Sequence, residues 1–187
     1  GFRHRVCGKK RWYTCRGCGD ETGQKEKVAG MKIQKYGIVL DGDGRNVLEK
    51  EFSKDYSNND SLDSPEKIVK VMEDVFRLSD RAEEYMYLIC MTAGCNPIGF
   101  FEVSHGTCRA TVAGMREIFV RALLCGASDI VAVHNHPGGR IQPSGEDFRV
   151  TGRIQEAADL LGIIFCDHII ISRDSYFSFS ENGKMQK

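Results

Sequence analysis

The patterning of this chain predicts an α/β fold in which helices pack on a mixed sheet. Two observations carry that prediction. Residues 64–180 interleave helical and extended apolar patterns with no internal repeat, and such elements bury their apolar faces by laying helices on a sheet. At 187 residues the chain suits one domain of ordinary size plus an appendage, long enough for a real core.

Residues 1–30 are basic, cysteine-bearing and glycine-rich, with little apolar periodicity. Residues 31–63 read as a β-hairpin and a linker: strands over 33–40 and 45–52 flank the turn Asp41-Gly42-Asp43-Gly44, and polar residues 53–63 end the hairpin. A calcium loop is disfavoured, because its twelfth position, counted from Asp41, is Phe52 rather than Glu. Ser64-Pro65-Glu66 starts a helix with a cap, a proline at the first position and an early acid. Ile68, Val71, Met72, Val75 and Phe76 give that helix its apolar stripe. Strands follow over 85–91 and 98–103, separated by the turn Gly94-Cys95-Asn96-Pro97. A helix begins at Thr111 or Gly114 and ends at Leu124. A short buried strand over 129–133, a helix opened by Ser144, a strand over 163–171 and a last short strand over 176–179 complete the order.

The strand over 129–133 leads into His134-Asn135-His136-Pro137. If it stays extended, His134 and His136 share a face and Asn135 points away, because side chains alternate with period two. Two imidazoles about 7 Å apart at the backbone can lean onto one ion at Zn–N distances of about 2.0–2.1 Å. Five histidines placed at random would give about 0.1 His-x-His pairs, so the pairing is informative. Ser144-Gly145-Glu146-Asp147 is by itself a capping box. Capping also suits ligation, since it holds a carboxylate near a helix N-terminus, and Asp147 is the candidate third ligand. Two His and one Asp leave a fourth tetrahedral position open, which marks a catalytic rather than a structural zinc site.

Lys plus Arg and Asp plus Glu number 26 each, so no global charge recruits nucleic acid or membrane. No apolar run approaches a membrane span and no signal peptide is visible. The chain starts at Gly1 rather than Met, and residues upstream are expected. Of the eight cysteines, Cys90, Cys125 and Cys166 sit in or beside apolar segments, while Cys95 and Cys108 fall near turns with no pairing logic. A reduced, cytoplasmic protein is expected. Residues 1–19 hold Arg3, Arg5, Lys9, Lys10, Arg11 and Arg16 and no acid. In that segment His4, Cys7, Cys15 and Cys18 form a candidate structural zinc knuckle, and with Trp12 and Tyr13 its charge makes a candidate nucleic-acid contact.

Several motifs stand in one order: Ser64-Pro65-Glu66, Glu84-Tyr85, Val103-Ser104-x-Gly106-Thr107, Arg116-Glu117-Ile118-Phe119, His134-Asn135-His136-Pro137, Ser144-x-x-Asp147 and Asp167-His168. With them, residues 64–183 resemble the JAB/MPN domain of RadC-type proteins, a branch of the JAMM metalloprotease superfamily. The resemblance implies a layered, cytidine-deaminase-like α-β-α fold. It does not imply deaminase chemistry, which needs His-x-Glu with Pro-Cys-x-x-Cys. The JAMM pattern implies zinc on His134, His136 and Asp147, an assisting Ser144, and an upstream glutamate as general base. Glu84 is the expected base; Glu83 would face the other side of the strand, and Glu117 beside Arg116 reads more simply as a surface ion pair. The chain has Gly138 where RadC-like chains commonly have Ser, and Gly114-Met115 where they often have His-Pro; neither change removes a ligand.

The expected activity is zinc-dependent hydrolysis of an amide or isopeptide bond in a peptide or protein substrate. The alternative is a DNA-associated or protein-binding module, related to DNA repair, with a structural or vestigial metal site. His105 reads as an exposed turn residue. His168 reads as a buried, hydrogen-bonded histidine, with support of a metal ligand as its alternative role.

Overall fold

The computed structural model describes residues 30–106 and 114–185. His4, Cys7, Cys15 and Cys18, the basic residues of 1–19 and Cys108 lie outside the described residues, and so do the readings that rest on them.

Seven strands form one mixed sheet: β1 (Met31–Leu40), β2 (Asn46–Tyr56), β3 (Glu84–Met91), β4 (Pro97–Gly106), β5 (Asp129–Asn135), β6 (Ile164–Ile171) and β7 (Tyr176–Ser178). Their order is β2-β1-β4-β3-β5-β6-β7. β1 runs parallel to β4 and β5 parallel to β6, and the remaining pairs are antiparallel. Three helices, α1 (Pro65–Phe76), α2 (Met115–Leu124) and α3 (Gly145–Leu161), cover the sheet.

Alternation along the strands sorts the side chains into two cores. Tyr87, Ile89, Met91, Val131, Val133, Ile169 and Ile171 face α1 and meet Ile68, Val71, Met72 and Phe76. Met86, Leu88, Cys90, Ile130 and Ala132 point the other way, against Ile118, Phe119 and Ala122 of α2 and Val150, Ile154 and Ala158 of α3. The molecule is thus a three-layer α-β-α domain. Each fully buried side chain of this size contributes about 1.5–3 kcal/mol, so both helical layers are anchored by their apolar stripes. Caps set the helix ends: Ser64 accepts from the Lys67 N–H at the start of α1, and Gly162 takes the left-handed C-terminal position of α3.

The hairpin of residues 31–56 continues the sheet through β1 and β4. Its second strand runs to Tyr56, four residues past Phe52, where the strand was expected to end. Ser53, Lys54 and Asp55 are tolerated because β2 is an edge strand with an exposed face, and Tyr56 is buried opposite Met31. β4 also outruns its expected span, since Ser104, His105 and Gly106 pair with Met86, Tyr85 and Glu84. His105 is exposed as expected, but it lies in a strand rather than a turn, stacked on Tyr85 and 3.2 Å from Glu102. Among the described residues, no helix is long and apolar enough to cross a membrane.

Candidate metal centre

The polar end of the sheet lies where β5 and β6 finish and α3 begins. β3 and β5 pair with Met86 opposite His134. Extending that antiparallel register by two residues sets Glu84 beside His136. Glu84, His134 and His136 then share the face that α3 covers, and α3 brings Asp147 in its first turn. One ligand atom from each of these four residues lies within 4.8 Å of every other.

The separations suit one small cation. His134 Nε2 is 3.0 Å from His136 Nε2 and 3.2 Å from Asp147 Oδ1, while His136 Nε2 is 3.7 Å from Asp147 Oδ2. Tetrahedral ligands about 2.0–2.1 Å from zinc stand about 3.3 Å apart. The donor set agrees, since two imidazoles and two carboxylates are ligands that a divalent transition metal such as zinc takes. All but His136 are buried, so the centre is shielded from water on most sides.

Each side chain is held from behind. The turn His136-Pro137-Gly138-Gly139 closes with the Gly139 N–H on the His136 carbonyl at 3.0 Å. Gly139 adopts φ +78°, a left-handed value that glycine takes without strain. The turn swings the Arg140 carbonyl onto His136 Nδ1 at 2.6 Å. A carbonyl only accepts, so Nδ1 carries the proton and Nε2 keeps its lone pair for the site.

Asp147 is fixed by the capping box. Ser144 N–H donates to Asp147 Oδ2 at 2.6 Å, and Asp147 N–H donates to Ser144 Oγ at 3.2 Å. Oδ1 is thereby left to face His134. Burial alone would raise the Asp147 pKa. The neighbouring His134 ring, followed by the hydrogen bonds with Ser144, outweighs it and holds the carboxyl well below the usual carboxylate range. Ser144 itself is exposed. Its hydroxyl accepts from Asp147 and keeps its own proton free to donate.

Asn135 faces the α1 side and clamps the start of β3, the strand that carries Glu84. Its Oδ1 accepts from the Tyr85 N–H at 2.7 Å, and its Nδ2 donates to the carbonyls of Glu83 at 2.9 Å and Arg81 at 3.4 Å. The backbone on both sides of Glu84 is thus pinned to the residue between the two histidines. Glu83 is exposed. Glu117 is exposed on α2, 3.6 Å from Arg116, outside the group.

Behind His134 stands the fully buried His168, with Nε2 2.8 Å from His134 Nδ1. Its Nδ1 lies 2.7 Å from Thr151 Oγ1, which donates to the Asp147 carbonyl at 2.6 Å. Burial first, and the neighbouring imidazole of His134 next, keep His168 neutral, its pKa well below the usual histidine range. The sequence reading did not single out Asn135 and Thr151 for these contacts. For Thr151 a signal existed: it follows Asp147 by four residues, and so shares its helix face.

Residues 62–184 match the family model of the RadC-like JAB domain. A UPF0758 protein of Thermotoga maritima is 36% identical over 126 residues, covering 67% of this chain and 55% of that protein. One from Alkaliphilus metalliredigens is 36% identical over 128 residues, 68% of this chain and 54% of that protein. One from Staphylococcus haemolyticus is 30% identical over 135 residues, 72% and 58% respectively. The chain therefore spans a little over half the length of the curated relatives it matches.

Proposed function

The chain belongs to the RadC-like JAB domain family, and on that footing we propose that it is a zinc-dependent hydrolase of the JAMM type that cleaves an amide or isopeptide bond in a peptide or protein. The observation that carries this reading is the convergence of Glu84, His134, His136 and Asp147 within 4.8 Å. His134, His136 and Asp147 would hold the metal, and zinc bound there would supply Lewis acidity, lowering the pKa of a water to about 7 and polarising a carbonyl. The Glu84 carboxylate is the group that takes a proton from the attacking water and returns it to the leaving amine. It is buried beside His136, and the Asn135 clamp stops its strand from sliding away. Ser144 donates its free hydroxyl proton to the oxygen on which charge develops. A reducing, cytoplasmic setting belongs to this reading, with Cys90 and Cys125 as thiols in the described residues.

The position of Glu84 favours one specific rival. A carboxylate this near the other three could itself complete a four-ligand shell, and a closed shell is structural. Glu84→Gln separates the two. As a base, Glu84 can be replaced with zinc uptake unchanged while cleavage of a peptide or isopeptide library is lost. As a ligand, its replacement lowers zinc affinity. The measurement uses a Cys15→Ser/Cys18→Ser background, so that the N-terminal cysteines add nothing to the zinc count. A protein that takes up no zinc in this background, or a Glu84→Gln variant that cleaves as well as the parent, would overturn the proposal.

A further inference from the structure

At the end of the sheet away from the candidate metal centre, two thiols from different elements meet. Cys90, near the end of β3, is fully buried, and Cys125, at the C-terminal cap of α2, is half-buried. The chain leaving α2 is fastened to the strand, with the Ala127 N–H on the Ala122 carbonyl at 2.9 Å and the Ser128 N–H on the Met91 carbonyl at 3.0 Å. The two sulfurs are hydrogen-bonded to each other. Cys125 Sγ donates to the Ala122 carbonyl at 3.4 Å, so the bond between the sulfurs runs from Cys90 to Cys125. That bond, against burial, and the backbone N–H groups of Ala127 and Cys125 hold the Cys125 thiol below its ordinary range. The same bond and burial push the Cys90 thiol up. Two cysteines in an apolar core are small hydrophobes when neither is accessible. Here the more acidic thiol is the accessible one, and the less acidic one is sealed behind it. A thiol pair that reacts as attacker and resolver needs that division.

We propose that Cys90 and Cys125 form a redox-active dithiol that a hydroperoxide converts to a disulfide, joining β3 to α2. Cys125 attacks one peroxide oxygen as its thiolate. An S–O bond forms, the O–O bond breaks, and the departing oxygen takes the proton that Cys125 gave up and leaves as an alcohol, or as water from hydrogen peroxide. Cys125 is then a sulfenic acid, which condenses with a neighbouring thiol. The Cys90 sulfur attacks the Cys125 sulfur, the S–S bond forms, the S–O bond breaks, and the hydroxyl leaves with the Cys90 proton as water. Two thiols are oxidised and one hydroperoxide is reduced, and a small thiol reverses the product by exchange. The link ties the strand that carries Glu84 to the helix packed on it. No ligand of the candidate metal centre takes part, so the inference stands apart from the zinc reading.

The test is made on the full chain, reduced, freed of reductant and titrated with hydrogen peroxide. Remaining thiols are capped with N-ethylmaleimide before digestion and mass spectrometry. The expected result is a peptide pair linked through Cys90 and Cys125, released by dithiothreitol. Cys95 and Cys166, both buried, serve as internal standards, and loss of the Cys125 thiol should outpace theirs by about tenfold or more. Cys125→Ser should leave the Cys90 thiol intact at the same dose. In Cys90→Ala, Cys125 should stop at a sulfenic acid that dimedone captures. Should that buried replacement fail to fold, the parent and Cys125→Ser still decide. Cys125 reacting no faster than Cys95 and Cys166 overturns the proposal. So does Cys125 ending as a sulfinic acid, or linked to another cysteine, while Cys90 remains a thiol.

Discussion

Asp167 and His168 are neighbours on β6, both fully buried, yet they serve opposite faces of the sheet and different ends. His168 points to the α3 side and stands in a chain of polar contacts that runs from Thr151 to His134 in the candidate metal centre. Asp167 points away from it and collects donors: the Ser178 hydroxyl, the Ser180 N–H and the His168 N–H. Those donors tie the C-terminal turn to the sheet, and Asn182 adds a bond to the Ser178 carbonyl. A carboxyl group among donors ties segments together, which stabilises structure. An imidazole between a hydroxyl and another imidazole stands behind a site. What a buried polar residue is packed against decides its role.

The sharpest test of that division is to delete the ligands. His134→Ala/His136→Ala should abolish about one equivalent of zinc binding in the 62–184 region. The circular-dichroism spectrum should stay that of the parent, because both cores are built elsewhere. An unchanged zinc count in the Cys15→Ser/Cys18→Ser background would break the comparison outright.

Next in size is Glu84→Gln, for which turnover should fall by about 100-fold or more, the scale expected on loss of a general acid–base group. Stability in urea should match the parent, since the change is nearly isosteric.

On the other face, Asp167→Ala should cost about 2–4 kcal/mol of unfolding free energy, because it strands the buried Ser178 hydroxyl and His168 N–H and the part-buried Ser180 N–H. Zinc stoichiometry should stay unchanged. A large loss of zinc with little loss of stability would mean that the two neighbours share one task.

The smallest expected effect lies in pH dependence. Burial pushes the Asp167 carboxyl up to about 7, against the pull of its donors, while in the unfolded chain it titrates at about 3.9. The folded state therefore binds this proton more tightly. Its contribution to stability is fully present below about pH 4 and is lost as pH rises through about 7. Asp167→Asn keeps an acceptor and removes the charge, so its stability relative to the parent should rise across that window, as read from urea midpoints at successive pH values. A constant difference would show that Asp167 is ionised throughout.

Much of the site was legible in the residues alone, for local reasons. His134 and His136 share a face because a strand alternates with period two. Asp147 sits in a first helical turn because Ser144-x-x-Asp147 is a capping box, and the box leaves one oxygen free. The helix starts at Ser64 and Ser144 follow from the same short-range chemistry. The far end of β2 was less legible, because an edge strand accepts polar residues that in isolation look like a linker.

Tertiary structure decided the rest. Which glutamate meets the histidines depends on the β3–β5 register, and a slip of one residue would turn Glu84 away and bring Glu83 in. The contacts behind His134 come from Thr151 and His168, which lie 17 residues apart and on different elements. Asn135 finds its partners 50 to 54 residues upstream. Periodicity and capping act within a few residues and are written in the order of the side chains. The buried contacts behind the site exist only once α3, β6 and β5 have docked, because each partner is one that the chain brings from far away.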